Sequence, residues 1–346
     1  MSTVFKIALD AMGGDFAPVE PVKAAVNAVN ENEDIMVFLV GDEVKVEAEL
    51  AKYQYRKEQI QVVPTTEEIS CNESPVDAIR RKKDSSMVVA LRMVRNGEAD
   101  AFVSSGSSGA VLVGGQVLVG KIKGIERAPL APLIPTTKGV SLLIDCGANV
   151  DAKSHHLVQF AQIGTVYMKN VVGLENPTVA IVNIGSEEAK GNALVKETYP
   201  LLKECEGINF IGSIEPNEIH TGKADIIVCE AFVGNVILKH TEGLANTLIK
   251  EIKTGLMATL RSKIGALLVK PALKETLKSF DASQYGGAPL LGLKGLVVKT
   301  HGSASAVEIK NAIFQCVQFS QQRVNEKIKE QLFPEVEGKE EKTDAE

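Results

Sequence analysis

The chain has 346 residues, 45% of them hydrophobic and 24% charged, with 29 glycines and no tryptophan, the make-up of a globular protein able to bury a large core. A net charge of −6 and 5% aromatic residues argue against a nucleic-acid partner, which would want a basic face or stacking platforms. Five scattered cysteines without a C-x-x-C pair read as reduced thiols of a cytoplasmic protein, not as a disulfide frame or zinc site. No leader is expected, because an apolar strand starts almost at once, and no apolar run approaches the ~20 residues that span a bilayer.

Taken in chain order, short apolar runs at 4–10, 35–41, 60–63, 100–105, 130–135, 140–146, 178–184, 208–212, 225–229 and 295–299 predict strands. Helices are predicted over 19–31, 43–53, 84–96, 107–120, 154–169, 191–204 and 305–331. Strands that are apolar throughout and separated by helices indicate a mostly parallel sheet covered on both faces, a three-layer α/β fold. We expect one large α/β unit over 1–333, with a helical excursion over about 236–282. The last twelve residues carry six acids against two lysines, so 334–346 is expected to be a disordered charged tail.

Ligands of parallel α/β sheets sit where strands hand over to helices. There the sequence reads DAMGGD (10–15), SSGSSGA (104–110), DCGANVD (145–151), NIGSEEAKG (183–191) and EAFVGN (230–235). Glycines and small polar residues let backbone amides approach an anion. One such loop is ordinary turn chemistry; five in register point to a polar cleft for a phosphate-bearing ligand. The stretch GQVLVGKI (115–122) imitates a nucleotide-binding spacing, but its centre is apolar helix and Ile122 stands where a hydroxyl is required.

Taken together and in order, these loops resemble the PlsX-type phosphate acyltransferases. The resemblance is carried by LDAMGGDFAP (9–18), RRKKDSSM (80–87), SSGSSGAVL (104–112), IKGIERAPL (122–130), DCGANVDAK (145–153) and LVQFAQIG (157–164). It continues through NIGSEEAKGN (183–192), NFIGSIE (209–215), GNVILKHTEG (234–243), YGGAPLLGLKG (285–295) and HGSASA (301–306). It implies transfer of a long-chain fatty acyl group from acyl carrier protein to inorganic phosphate. The acyl phosphate formed would feed glycerol-phosphate acylation, with a glycerol-3-phosphate acyltransferase as a possible partner. It further implies a fold similar to isopropylmalate dehydrogenase and phosphotransacetylase, a homodimer, no cofactor and peripheral contact with anionic membrane. The family's S-A-G-N-T-G-A loop departs here at Ser105, Ser107 and Ser108, and its D-G-F-T-G-N departs at Glu230, Ala231 and Val233.

Phosphate is a competent nucleophile and thiolate a good leaving group, so this transfer needs positioning and charge screening more than a covalent intermediate. The substrate-binding candidates are Gly13, Gly14, Ser104, Gly106, Ser107, Ser108, Gly109, Asn149, Asp151 and Lys153. Catalytic candidates are Lys190, His301 as proton donor to the thiolate, Asn183 and Asn235 as carbonyl-orienting amides, and Asp10 as the holder of its loop's amides. Each has a bland alternative: Lys190 a solvated charge, the asparagines turn residues, His301 a helix cap. Asp15 is expected to accept at the helix start, with Pro18 in the first turn. A metal site is a minority reading. Arg80, Arg81, Lys82 and Lys83 could dock an acidic carrier protein or simply face water. Residues 250–280 hold seven Lys/Arg against two Glu, with Leu256, Leu260, Ile264, Leu267 and Leu268 at helical spacing. That is a basic amphipathic element for anionic lipid or an acyl chain, or else a helical pair packing on a dimer mate. The rival functions are a phosphotransacetylase acting on short acyl-CoA, a dehydrogenase of similar fold, and a non-catalytic membrane scaffold.

Overall fold

The computed structural model describes residues 4–279 and 285–333, so the 334–346 tail and the end of the expected excursion lie outside the described residues. Where the sequence reads as a single unit, the described residues group into two compact ones. Of the described residues, the first comprises 4–128, 162–176 and 286–333; the second comprises 129–161, 177–279 and 285.

The first unit is built on a six-stranded sheet. Its elements are β1 (Phe5–Asp10), α1 (Val19–Glu31), β2 (Ile35–Gly41), α2 (Glu43–Leu50), β3 (Ile60–Pro64), α3 (Pro75–Arg81), α4 (Ser86–Arg95), β4 (Ala101–Ser104) and α5 (Ser108–Gly114). Strands β5 (Leu133–Thr136) and β6 (Gly139–Ile144), helix α6 (Ser154–Tyr167), β7 (Thr178–Val182), α7 (Ala193–Glu204), β8 (Asn209–Ile214) and β9 (Ile226–Val228) follow. The chain continues as α8 (Ala231–Leu256), α9 (Leu260–Ser279), β10 (Ala288–Pro289), β11 (Leu296–Lys299), α10 (Ala306–Gln321) and α11 (Val324–Leu332). Strand order in the first unit is β10-β11-β4-β1-β2-β3. All neighbours are parallel except β10 with β11. Ile7, Ala8, Leu9, Ala101, Phe102 and Val103 are fully buried or nearly so, which is why these strands carry no polar alternation. Helix α1 closes one face with Val22, Ala25, Val26 and Val29, and α4 contributes Met87, Leu91 and Val94 to the core.

The second unit holds a five-stranded sheet, order β5-β6-β9-β7-β8, parallel except for the β5–β6 hairpin. Leu143, Ala180, Ile227 and Ile214 form its centre. Beyond it, α8 and α9 run as a helical pair with Leu244, Leu248, Leu260, Ile264, Leu267 and Leu268 more than half exposed.

The mostly parallel α/β reading therefore stands, while several local expectations change. The helix expected over 305–331 is two, because Arg323 adopts the left-handed region at φ 52° and ends the first. Helix α1 has Pro18 at its N-cap with no side-chain cap bond, so Asp15 is not the helix-start acceptor. Its backbone N–H instead donates to the Gly302 carbonyl at 2.8 Å. Helix α3 was not foreseen: it starts with Pro75 in its first turn and ends with Arg80 and Arg81, a favourable arrangement of both ends.

Candidate functional site

In the first unit, three loops meet at the carboxyl ends of β1, β4 and β11 around Asp10. Asp10 is 2% exposed, and its Oδ1 accepts from the Ser86 hydroxyl at 2.6 Å and the Met12 amide at 3.2 Å. Its Oδ2 accepts from the Ser104 hydroxyl at 2.7 Å, and Ser104 Oγ accepts in turn from the Gly106 amide at 2.9 Å. Burial pushes the Asp10 carboxyl above its ordinary range, against the pull of Ser86, Ser104 and Met12. With both oxygens bonded to protein donors, Asp10 is a keystone of the loops.

The glycines of the DAMGGD loop are fixed by this packing. A Cβ on Gly13 would lie 2.5 Å from Asp10 Oδ2 and 2.7 Å from the Gly106 amide. Gly14 takes φ +100°, and a Cβ there would press on Ser105 at 2.8 Å and the Gly302 carbonyl at 2.9 Å. A hydroxyl–hydroxyl bond of 2.7 Å between Ser105 and Thr300 joins the loops further. Ser105, one of the departures from the family pattern, thus has a structural partner of its own.

These commitments sort the serine-loop candidates. The Ser104 hydroxyl and the Gly106 amide are spent inside the knot. Ser107 caps α5 by accepting from the Ala110 amide at 3.4 Å, so its hydroxyl hydrogen remains to donate. Ser108 and Gly109 supply the first-turn amides of α5, which have no intrahelical acceptor. His301 is exposed, and its Nδ1 accepts from the Ser303 amide at 3.2 Å, which leaves the ring proton of the neutral tautomer on Nε2. Among the cationic run, Lys82 binds Glu73 at 2.8 Å and the Glu68 carbonyl at 2.6 Å. Arg80, Arg81 and Lys83 are exposed.

Two groups at this sheet edge escaped the sequence reading. Ser86 starts α4 next to its Ser85 cap and completes the Asp10 shell. Lys299 ends β11 opposite Ser104 with only 7% exposure. The one available signal was a lysine closing the apolar run GLVVK (295–299).

The second unit has its own loop set after β6, β9 and β7. Asp145, fully buried, receives the Leu130 and Ala148 amides on Oδ1 at 2.9 and 3.2 Å. Its Oδ2 receives the backbone and side-chain amides of Asn149 at 2.8 and 2.7 Å. Burial raises its carboxyl to about 6 despite those donors. The Asn149 side chain is thereby a loop fastener. The Asn183 amide is likewise engaged by Ser213 at 3.1 Å, the Lys190 carbonyl at 3.2 Å and the Ile184 amide at 2.8 Å. Lys190 pairs with Glu187 at 2.8 Å and folds over Gly185.

Asn235 is half-buried, its Oδ1 3.9 Å from the position a Gly147 Cβ would take, and no hydrogen bond holds its side chain among the described residues. Asp151 and Lys153 are exposed. Glu230 caps α8 by accepting the Phe232 and Val233 amides at 2.7 and 2.8 Å, so the longer acid does what a capping aspartate does. The Cys146 and Cys229 thiols are buried and pushed well up by desolvation, the opposite of an activated nucleophile.

Residues 5–327 match the family model described as fatty acid synthesis protein. The chain is 47% identical over 326 residues to a phosphate acyltransferase of Clostridium acetobutylicum, covering 94% of this chain and 98% of the relative. It is 50% identical over 325 residues to one from Alkaliphilus oremlandii, covering 94% and 96%. Among solved structures, a phosphotransacetylase from Streptococcus pyogenes aligns with TM-score 0.60 at 16% identity over 92% of this chain and 94% of that one. The EutD phosphotransacetylase from Staphylococcus aureus aligns with TM-score 0.58 at 16% identity over 93% and 95%. At that identity the two structures speak for the fold alone. No helix among the described residues is long and apolar enough to cross a membrane. By sequence over nearly its whole length, the chain belongs to the fatty acid synthesis protein family and is an acyltransferase of the phosphate acyltransferase type.

Proposed function

We propose that the chain transfers a long-chain fatty acyl group from the thioester of acyl carrier protein to inorganic phosphate, forming acyl phosphate. The observation that carries this reading is the Asp10 knot. With the Ser105–Thr300 and Asp15–Gly302 bonds beside it, it consumes its own polar groups to hold three loops at the carboxyl ends of parallel strands, the place where such sheets bind ligands. What it leaves over is the donor chemistry an oxyanion needs: the Ser107 hydroxyl and the amides of Ser108 and Gly109. A phosphate oxygen attacks the thioester carbonyl, the C–S bond breaks, and the departing thiolate takes up a proton. Cys146, Cys229 and Cys316 are buried with their thiols pushed up by desolvation, so none of these three is an activated nucleophile, and direct displacement is favoured over an acyl-enzyme on them.

The exposed Arg80, Arg81 and Lys83 are the groups to steer an acidic carrier protein. Leu260, Ile264, Leu267 and Leu268, at 65–80% exposure on α9, are the groups to meet anionic lipid, an acyl chain or a second copy of the chain. The defining test supplies purified protein with long-chain acyl carrier protein and phosphate and follows free thiol. Phosphate-dependent thiol release is expected. No release overturns the reading, and faster release from short acyl-CoA than from the carrier transfers it to phosphotransacetylase chemistry.

A further inference from the structure

Lys299 is the one buried lysine among the described residues, and no direct ion pair holds it. It is the last residue of β11, in register with Ser104 of β4, and more than nine-tenths buried. One of its three ammonium donors meets the carbonyl of Thr300; the other two reach no acceptor among the described residues. No carboxylate pairs with it. The ionisable side chains near enough to act on it are Cys71, in the loop before α3, Asp10 on β1 and Asp15 beyond it. Asp10 faces hydroxyls and an amide instead. A buried, under-bonded ammonium is costly, and burial pulls this one down to about 8. Polar groups left unsatisfied where a parallel sheet presents its ligand site are those a ligand would complete.

We propose that Lys299 is the cation that binds the phosphate nucleophile, its two unused N–H donors closing on phosphate oxygens beside the Ser104–Gly109 loop. This rests on the acyl transfer to phosphate proposed above. It assigns the charge-neutralising role to a lysine that ends a strand, rather than to the loop lysines 153 and 190. Inorganic phosphate and the phosphodiester of a pantetheine arm share the recognising chemistry, and the proposal commits to inorganic phosphate. Because the ammonium must be charged to hold the anion, its contribution to affinity falls as the pH rises through about 8.

The test uses the full chain and phosphate alone, so it is independent of turnover. Binding of inorganic phosphate and of 4′-phosphopantetheine is followed by 31P NMR for the wild type and Lys299→Met. The variant is expected to bind phosphate at least about tenfold more weakly. Equal phosphate binding by the two proteins overturns the proposal, as does a wild type that binds no phosphate. Weakening confined to 4′-phosphopantetheine also overturns it, giving the cation to the prosthetic arm. If Lys299→Met fails to fold by circular dichroism, 13C-lysine NMR of the wild type decides. The Cε resonance that titrates near pH 8 is expected to shift its midpoint upward in saturating phosphate, and an unmoved midpoint refutes the assignment. Phosphate binding through Lys299 without any thiol release from acyl carrier protein would leave this inference standing and remove the proposed acyl transfer.

Discussion

Gly234, in the first turn of α8, offers a sharp test of how the second unit's loop set is held. A Cβ at this position would sit 1.9 Å from the Asp145 carbonyl oxygen, 2.9 Å from its carbon and 3.1 Å from Cys229 Sγ. The oxygen is main chain, so no rotamer relieves the clash. Separation has to grow by about 1.5 Å to reach the 3.4 Å at which contact becomes ordinary. The strain of such overpacking costs roughly 1–3 kcal/mol, and this clash belongs at the upper end. The helix-propensity gain of Gly→Ala offsets about 1 kcal/mol, leaving Gly234→Ala destabilised by about 2 kcal/mol. The same helix supplies its own control in Gly243, where an added Cβ meets nothing within 4 Å; Gly243→Ala should gain up to about 1 kcal/mol. Thermal unfolding followed at 222 nm should place the first variant about 4 °C below the wild type and the second up to about 2 °C above, at ~2 °C per kcal/mol for a chain of this length. Gly234→Ala that melts with or above Gly243→Ala would refute the close approach of α8 to Asp145.

Two more predictions address the first unit's knot and the second unit's helices. In Asp10→Asn an amide N–H replaces one of the two carboxylate oxygens, so donor faces donor at Ser86 or Ser104. This should cost about 1–3 kcal/mol in urea unfolding and lower kcat/KM for thiol release, with metal content by elemental analysis unchanged; full activity would show that the loops do not depend on Asp10. Leu260→Glu, at a position 80% exposed, should leave the melting temperature within a degree or two. It should sharply reduce co-flotation with anionic vesicles, and flotation that ignores both lipid charge and the substitution would remove the membrane reading of α9.

Much of the architecture was legible because fully buried parallel strands write themselves as unbroken apolar runs. VFKIALD and IMVFLVG became β1 and β2 with little displacement. Loop function was less legible, since the same residue types fasten turns and bind ligands. Asn149 and Asn183 resolved to fasteners only when Asp145 and Ser213 were seen beside them. The four-cation run lost Lys82 to Glu73, nine residues away at the other end of α3, a pairing that sequence spacing does not suggest. Lys299 was missed for a different reason. A charge at the end of a strand reads as the point where the chain meets water, and only the register with Ser104 and the burial around it reverse that reading. The break at Arg323 left no trace, because no glycine or proline marks the left-handed residue.

The strand order of the first unit carries a consequence for how the protein is made. Strand β4 lies between β1 and β11, yet β11 is separated from β4 by the whole of the second unit's sequence. On a ribosome, one edge of β4 stays unpaired until the chain has grown past residue 299. An open apolar edge is the kind of surface that pairs with the wrong neighbour. The nascent first unit is therefore the stretch of this protein with most need of a holding chaperone. Ser105 and Thr300 can join only at the end of synthesis, making ligand competence one of the last properties the new chain acquires.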